Sequence, residues 1–181
     1  KIIVSYKDLE GIPKKYKPKI VEVGNIVRSQ IINSNFSYRT NRFDNIKILV
    51  LGGSQAAAIF AEELPRIFKE LKNSDIKIKV FQQCQKKQIE KLYQFYKNAN
   101  IECEIFNFTD QIIDYYSKVN LVITRAGASV LGELINVKIP FISIPLPTSA
   151  DNHQLKNAIF YEKKGFGILM EEKDIKKNCT I

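Results

Sequence analysis

The 181-residue chain has no tryptophan, one histidine and one methionine. Its three cysteines, Cys84, Cys103 and Cys179, are odd in number and far apart, with no CxxC pair. A disulfide scaffold is thereby excluded, and a structural zinc site lacks its ligands. Unpaired cysteines in a chain of this size suit a reducing cytosol. No apolar run approaches the roughly 18–20 residues that span a bilayer. The longest, around Ile48 to Leu51 and Ile139 to Leu146, are short, end at Gly or Pro and read as buried strands. No metal or other cofactor is expected. Internal repeats and low-complexity tracts are absent as well. No signal peptide precedes the first strand. The chain begins with Lys1 and stops at Ile181 in a charged stretch, so a fragment or a processed chain is expected.

What remains is a soluble, globular composition: 45% hydrophobic and 26% charged residues. Lys and Arg outnumber Asp and Glu by 28 to 19, a formal net charge of +9. An anionic partner fits that balance: nucleic acid, an acidic membrane face or a phosphorylated small molecule. The excess is mostly Lys, set beside Glu and Asn along helical stretches (Lys69, Lys72, Lys86, Lys87, Lys91, Lys97), which is how solvated helix faces look. No Arg cluster interleaves with aromatic residues as a nucleic-acid stacking platform requires, so no nucleic-acid partner is expected.

From Asp44 onward, short apolar runs alternate with amphipathic segments. Strands are predicted at Ile46–Leu51, Ile76–Phe81, Glu102–Phe106, Leu121–Thr124, Pro140–Ile144 and Gly167–Met170. Helices are predicted at Gln55–Leu71 (kinked at Pro65), Lys86–Asn98, Gln111–Lys118, Ala128–Asn136 and Asn152–Lys164. This alternation implies an α/β fold, a doubly wound, Rossmann-like parallel sheet. Residues 1–43 differ. They hold Pro13 and Pro18, two short apolar runs and an Asn/Ser/Arg-rich stretch, too little for a core. They read as the tail of a preceding domain plus an interdomain linker, ahead of a binding domain over 44–181.

In an open parallel sheet, ligands bind beyond the carboxyl ends of the strands. Gly52-Gly53-Ser54-Gln55 follows a strand and opens a helix there. It fits either a tight turn with an N-cap or an anion-binding turn whose free N–H groups meet a phosphate. Thr124-Arg125-Ala126-Gly127-Ala128-Ser129 is a second such turn, with Glu133 a turn and a half further on. That carboxylate is either solvated or placed to accept both hydroxyls of a ribose. A third loop ends in Asp151-Asn152-His153-Gln154, whose polar side chains suit sugar hydroxyls or a capped helix start. No nucleophile adjoins His153, so a catalytic triad is unsupported. Phe108, just past the third strand, either covers a flat base or belongs to the core.

Taken together, the strings ILVLGGSQAA, NFTDQIIDYYSKVNLVITRAGASVLGEL and PFISIPLPTSADNHQLKNA, with VGNIVR at Val23–Arg28, resemble the carboxy-terminal half of the MurG-type transferases of glycosyltransferase family 28. The resemblance covers about residues 21–178. It implies a GT-B architecture in which this half binds the nucleotide sugar and an absent amino-terminal half binds the lipid acceptor and supplies the catalytic base. It implies an inverting hexosyl transfer from UDP-N-acetylglucosamine to a lipid-linked muramyl pentapeptide, made at the cytoplasmic face of the bacterial inner membrane on an anionic surface.

By position, the resemblance assigns Arg28 and Ser54 to the diphosphate, with the adjoining Gly53 and Gln55 as further substrate-binding residues. It sets Phe108 over uracil and gives Thr109 the base edge. Ala128 falls beside the diphosphate and sugar, with Arg125 and Gly127 of the same turn as further substrate-binding residues. Glu133 falls on the ribose, His153 and Gln154 on the sugar-reading pair, and Asn157, also taken as substrate-binding, one turn on. The sequence departs from the family pattern at Ala56 (for Gly), Ile26 (for Pro) and Phe81-Gln82-Gln83-Cys84, where the family has HQ(S/T)G. Two rival expectations follow from those departures and the length: a stand-alone donor-binding subunit, or a degenerate binding module.

Overall fold

A computed structural model describes residues 1–5, 12–33, 45–53, 58–74 and 76–177. Ile46–Leu51 (β3) is the sequence's strongest strand signal, a continuous apolar run. It lies at the centre of a six-stranded, wholly parallel sheet ordered β5-β4-β3-β6-β7-β8. The other strands are Ile78–Gln83 (β4), Glu102–Phe106 (β5), Leu121–Thr124 (β6), Phe141–Ser143 (β7) and Gly167–Leu169 (β8). Numbered within the sheet alone the order is 3-2-1-4-5-6, the dinucleotide-fold order, whose direction reverses between β3 and β6. The expected doubly wound α/β fold is what the chain adopts.

Successive residues of β3 point to opposite faces, and each face has its own core. Leu49 and Leu51 pack with Leu131 and Leu134 of helix α5 (Ala128–Asn136), Tyr116 of α4 (Ile112–Lys118) and Tyr161 of α6 (His153–Lys163). Ile48 and Val50 pack with Phe60, Leu64 and Phe68 of α2 (Ala58–Asn73), and with Leu92 and Tyr96 of α3 (Ile89–Asn98). Pro65 lies buried within α2, which runs on past it.

Two sequence readings need correcting. β4 runs two residues later than Ile76–Phe81, taking in Gln82 and Gln83. Polar residues are tolerated there because partners satisfy them. The fully buried Gln82 accepts a hydrogen bond from the Tyr96 hydroxyl and donates to the Phe60 carbonyl at 3.1 Å. The second correction is a further helix, Glu172–Lys177 (α7), which patterning does not reveal. Its single apolar residue, Ile175, is fully buried, and Glu172 pairs with Arg125.

At the amino end, Ile2–Val4 (β1) and Ile20–Glu22 (β2) pair in parallel as a separate two-stranded sheet. They are followed by a short helix, Ser29–Ile32 (α1). Ile3 is 70% exposed and Val23 54%, so this pair leaves apolar surface open. Ile31, by contrast, is buried in the core shared with α5. From residues 25–32, grouped on the sequence with the preceding piece, Val27 and Ile31 thus pack onto the large sheet's core. No helix among the described residues is long and apolar enough to cross a membrane.

Candidate functional site

The reversal of strand order leaves a crevice beyond the carboxyl ends of β3 and β6. A cavity of about 450 Å³ opens there. It is lined by Arg28, Gly53, Gln83, Phe108, Thr109, Gly127 and Glu133, among others. Residues that stand far apart in sequence are therefore gathered at one point. The volume falls in the range of small-molecule sites, roughly 300–1,000 Å³.

Each wall has a local cause. Gly53 stands in the turn after β3 with φ +75°, a left-handed conformation that other residues adopt at a cost. Ser54 and Gln55, expected to continue this anion-binding turn, lie outside the described residues, as does Ala56. Across the crevice, Gly127 is the N-cap of α5 and offers no side chain, so the free N–H groups of the helix start are approachable. Phe108 is 78% exposed at the rim. That separates the two readings of it: it is not a core residue. The Thr109 hydroxyl accepts from the Gln111 N–H at 3.0 Å, which holds the loop and leaves the Thr109 backbone at the cavity.

Arg28 and Glu133 meet directly. Arg28 Nε lies 2.7 Å from one carboxylate oxygen and its terminal nitrogen 2.9 Å from the other, a bidentate fork. The Tyr116 hydroxyl donates to the second oxygen at 3.1 Å. Glu133 is therefore not the solvated helix residue that spacing alone allowed. The carboxylate raises the Arg28 pKa, chiefly through this hydrogen bond. Tyr116 is also held in its neutral form, by burial first and by the Glu133 charge second. Two residues assigned by resemblance to different parts of one ligand thus neutralise each other across the cavity wall.

Asn25 docks the same segment. Its amide donates to the Ala128 carbonyl and to the Tyr161 hydroxyl, both at 2.8 Å. The approach depends on Gly132, where a Cβ would stand 2.8 Å from the Asn25 Cβ.

Other predicted residues are turned to different work. Arg125 also borders the cavity, but its guanidinium donates to the carbonyls of Ile144 at 3.3 Å and Pro145 at 3.2 Å. It pairs with Glu172 at 2.7 Å and lies over the Phe60 ring. Gln154 accepts from the Leu146 N–H at 2.9 Å, Asn157 donates to the Ala126 carbonyl at 3.0 Å, and the exposed His153 ring sits 2.8 Å from the Ala150 carbonyl. Ala128, His153, Gln154 and Asn157 are not among the cavity's lining residues. Asp151 does not cap α6, since it has φ +48° and the N-cap is Asn152 at φ +53°.

Sequence reasoning missed Asn25, Gln83 and Tyr116. Each carried a signal that was not read as a site: Tyr116 its position on the inward stripe of α4, Gln83 its departure from the family pattern, and Asn25 its place in the VGNIVR string. Among the described residues no three His, Cys, Asp or Glu side chains group as a metal would need.

The model of the glycosyltransferase family 28 C-terminal domain matches residues 47–179. The chain belongs to glycosyltransferase family 28. This family 28 chain is 39% identical, over its whole length, to the UDP-N-acetylglucosamine–N-acetylmuramyl-(pentapeptide) pyrophosphoryl-undecaprenol N-acetylglucosamine transferase of Pelagibacter ubique. It is 38% identical over 179 residues to the enzyme of the same name from Rickettsia bellii. It covers 50% of each, so it spans about half the length of the curated relatives it matches. Among solved structures it is similar to MurG of Acinetobacter baumannii, with a TM-score of 0.67 and 29% identity, over 76% of this chain and 41% of that one. The kitacinnamycin glycosyltransferase shares the fold at 14% identity, with a TM-score of 0.58 over 85% of this chain and 37% of that one.

Proposed function

We propose that this chain is the donor-binding half of an inverting transferase that moves N-acetylglucosamine from its UDP carrier to a lipid-linked muramyl pentapeptide in peptidoglycan synthesis. One observation carries the reading: the turn at Gly53, the α5 N-cap at Gly127, the exposed Phe108 and the Glu133 carboxylate face one cavity at the reversal of strand order. These are the chemical parts a uridine diphosphate needs. Free N–H groups and a helix dipole meet the pyrophosphate, an open aromatic face meets the base, and a carboxylate accepts from the ribose diol.

On this reading the acceptor's C4 hydroxyl attacks the anomeric carbon, the bond to the diphosphate oxygen breaks, and UDP leaves with the electron pair. The chain's own contribution is electrostatic. N–H dipoles and the Arg28 cation stabilise charge that grows on the leaving diphosphate. Glu133 meets the diol only if Arg28 gives up at least one of its two bonds, and the diphosphate is the anion that would draw the guanidinium away. The catalytic base and the acceptor site belong to an amino-terminal half, of which β1 and β2 are the final strands. The exposed Ile3 of β1 and the exposed Val23 that follows β2 are apolar surface such a half would cover. The basic balance of the whole chain suits work at an anionic membrane surface on the cytoplasmic side.

Titration with UDP-N-acetylglucosamine tests the assignment. The amide signals of Gly53, Ala128 and Glu133 are expected to shift together. No shift at millimolar donor would remove it.

A further inference from the structure

Gln83 is the last residue of β4, the strand lying between β3 and β5. Its side chain reaches both neighbours beyond the end of the ladder. Its carbonyl oxygen accepts from the Gly52 N–H at 3.1 Å, and its NH₂ donates to the Asn107 carbonyl at 3.2 Å. The partners fix the amide's orientation, since a backbone N–H needs the oxygen and a backbone carbonyl needs the nitrogen. Asn107 answers with a bond from its own side chain to the Cys84 carbonyl at 3.0 Å, and the Cys84 N–H donates to the Phe106 carbonyl at 2.9 Å.

The two segments joined this way are the two that meet different ends of a nucleotide. Gly52 leads directly into the left-handed turn at Gly53. Asn107 leads directly into Phe108 and Thr109, and Phe108 is too exposed to be located by packing. Gln83 also lines the same cavity. A side chain of Ser or Thr length is too short to reach both partners.

We propose that Gln83 is a positioning residue that fixes the span between the phosphate turn and the base loop, so that a nucleoside diphosphate meets one preset frame and not two independent contacts. The inference rests on the nucleotide reading of the cavity. Its physical basis is preorganisation: a ligand that bridges both loops gains from their fixed separation, and a ligand that touches only one does not.

Gln83→Met keeps the side chain's length and removes both hydrogen bonds. Binding of UDP and of uridine to the full chain separates the possibilities. The expected result is a UDP affinity about tenfold weaker, one to two hydrogen bonds' worth, with uridine affinity unchanged within about twofold. Equal losses for the two ligands, or none for either, would overturn the proposal and leave Gln83 as a strand-end residue. A wild-type protein that binds neither ligand would instead sink the nucleotide reading beneath it. Should the Met variant not fold, Gln83→Thr is read by the same ratio, because a short polar side chain cannot span the gap.

Discussion

The Arg28–Glu133 pair ties residues 105 apart in sequence, and its strength follows from its surroundings. The Glu133 side chain is 10% exposed and that of Arg28 48%. A fully exposed pair contributes about 0.2–1 kcal/mol, whereas removing one partner of a buried pair costs about 3–5 kcal/mol. The bidentate fork lies between those limits, because water reaches the guanidinium and not the carboxylate. A coupling energy of about 1.5 kcal/mol is expected. Removing Arg28 alone should cost more than the coupling, about 2 kcal/mol, because the buried carboxylate then keeps, among the described residues, only Tyr116. For a chain of this length that is a fall of roughly 4–8 °C in melting temperature. The assay is urea unfolding of the wild type, Arg28→Ala, Glu133→Gln and the double variant, closed as a cycle. Because one partner is buried, most of the coupling should survive 0.5 M salt, where an exposed pair would be screened to about 4–5 Å. A coupling below about 0.3 kcal/mol, the level at which independent sites already add, would refute the pairing. Repeating the cycle with saturating UDP adds a functional reading. If Arg28 changes partner on binding, the coupling falls.

Gly132→Ala should destabilise the chain by about 1–3 kcal/mol in urea unfolding, the cost of overpacking, because its Cβ would stand 2.8 Å from the Asn25 Cβ. Adding Asn25→Gly should recover part of that loss, since it removes the opposing atom. Arg125→Met should cost about 3 kcal/mol of stability, because Glu172 loses its cation and two carbonyls lose their donor; α7 should then show the largest rise in amide hydrogen exchange. Phe108→Ala should leave the melting temperature unchanged and weaken nucleotide binding, since the ring is exposed. Burial and the Glu104 carboxylate push the Tyr115 phenol up to about 12. The folded state thus keeps a proton that the unfolded chain releases near pH 10, so this contribution to stability is complete below about pH 10 and is lost between about pH 10 and 12. Tyr115→Phe should lower the urea midpoint between pH 7 and 9, where the bond to Glu104 is lost, and flatten the fall between about pH 10 and 12, as followed by urea midpoint against pH.

The sheet was legible because parallel strands buried on both faces read as unbroken apolar runs, and Ile46–Leu51 is such a run. The same logic explains the error at β4. Gln82 and Gln83 look like a loop until Tyr96 and Phe60 are known to satisfy the first, and the neighbouring strand ends the second. Helix α7 was invisible for the converse reason, since its only apolar residue gives no periodicity and its anchor, Arg125, stands 47 residues earlier.

At the site, the turns could be read because glycine next to a strand end has a local meaning. Which side chain faces the crevice could not, since a polar residue looks the same whether it meets a ligand or a nearby carbonyl. Gln154 and Asn157 have bonds to the backbone at Leu146 and Ala126. Arg125, in the same turn as Gly127, spends its charge on Glu172. Arg28 and Glu133 sit on the cavity wall but hold each other. The described part of the cavity therefore presents mostly backbone and glycine toward a phosphate, with its one bidentate ion pair already satisfied. On the proposed reading, affinity for a nucleotide rests on how well the strand-end turns are spaced, more than on free charges among the described residues. That places the weight on residues such as Gln83, whose bonds run to the backbone of both neighbouring segments, and Asn25, which joins the Ala128 carbonyl to the Tyr161 hydroxyl.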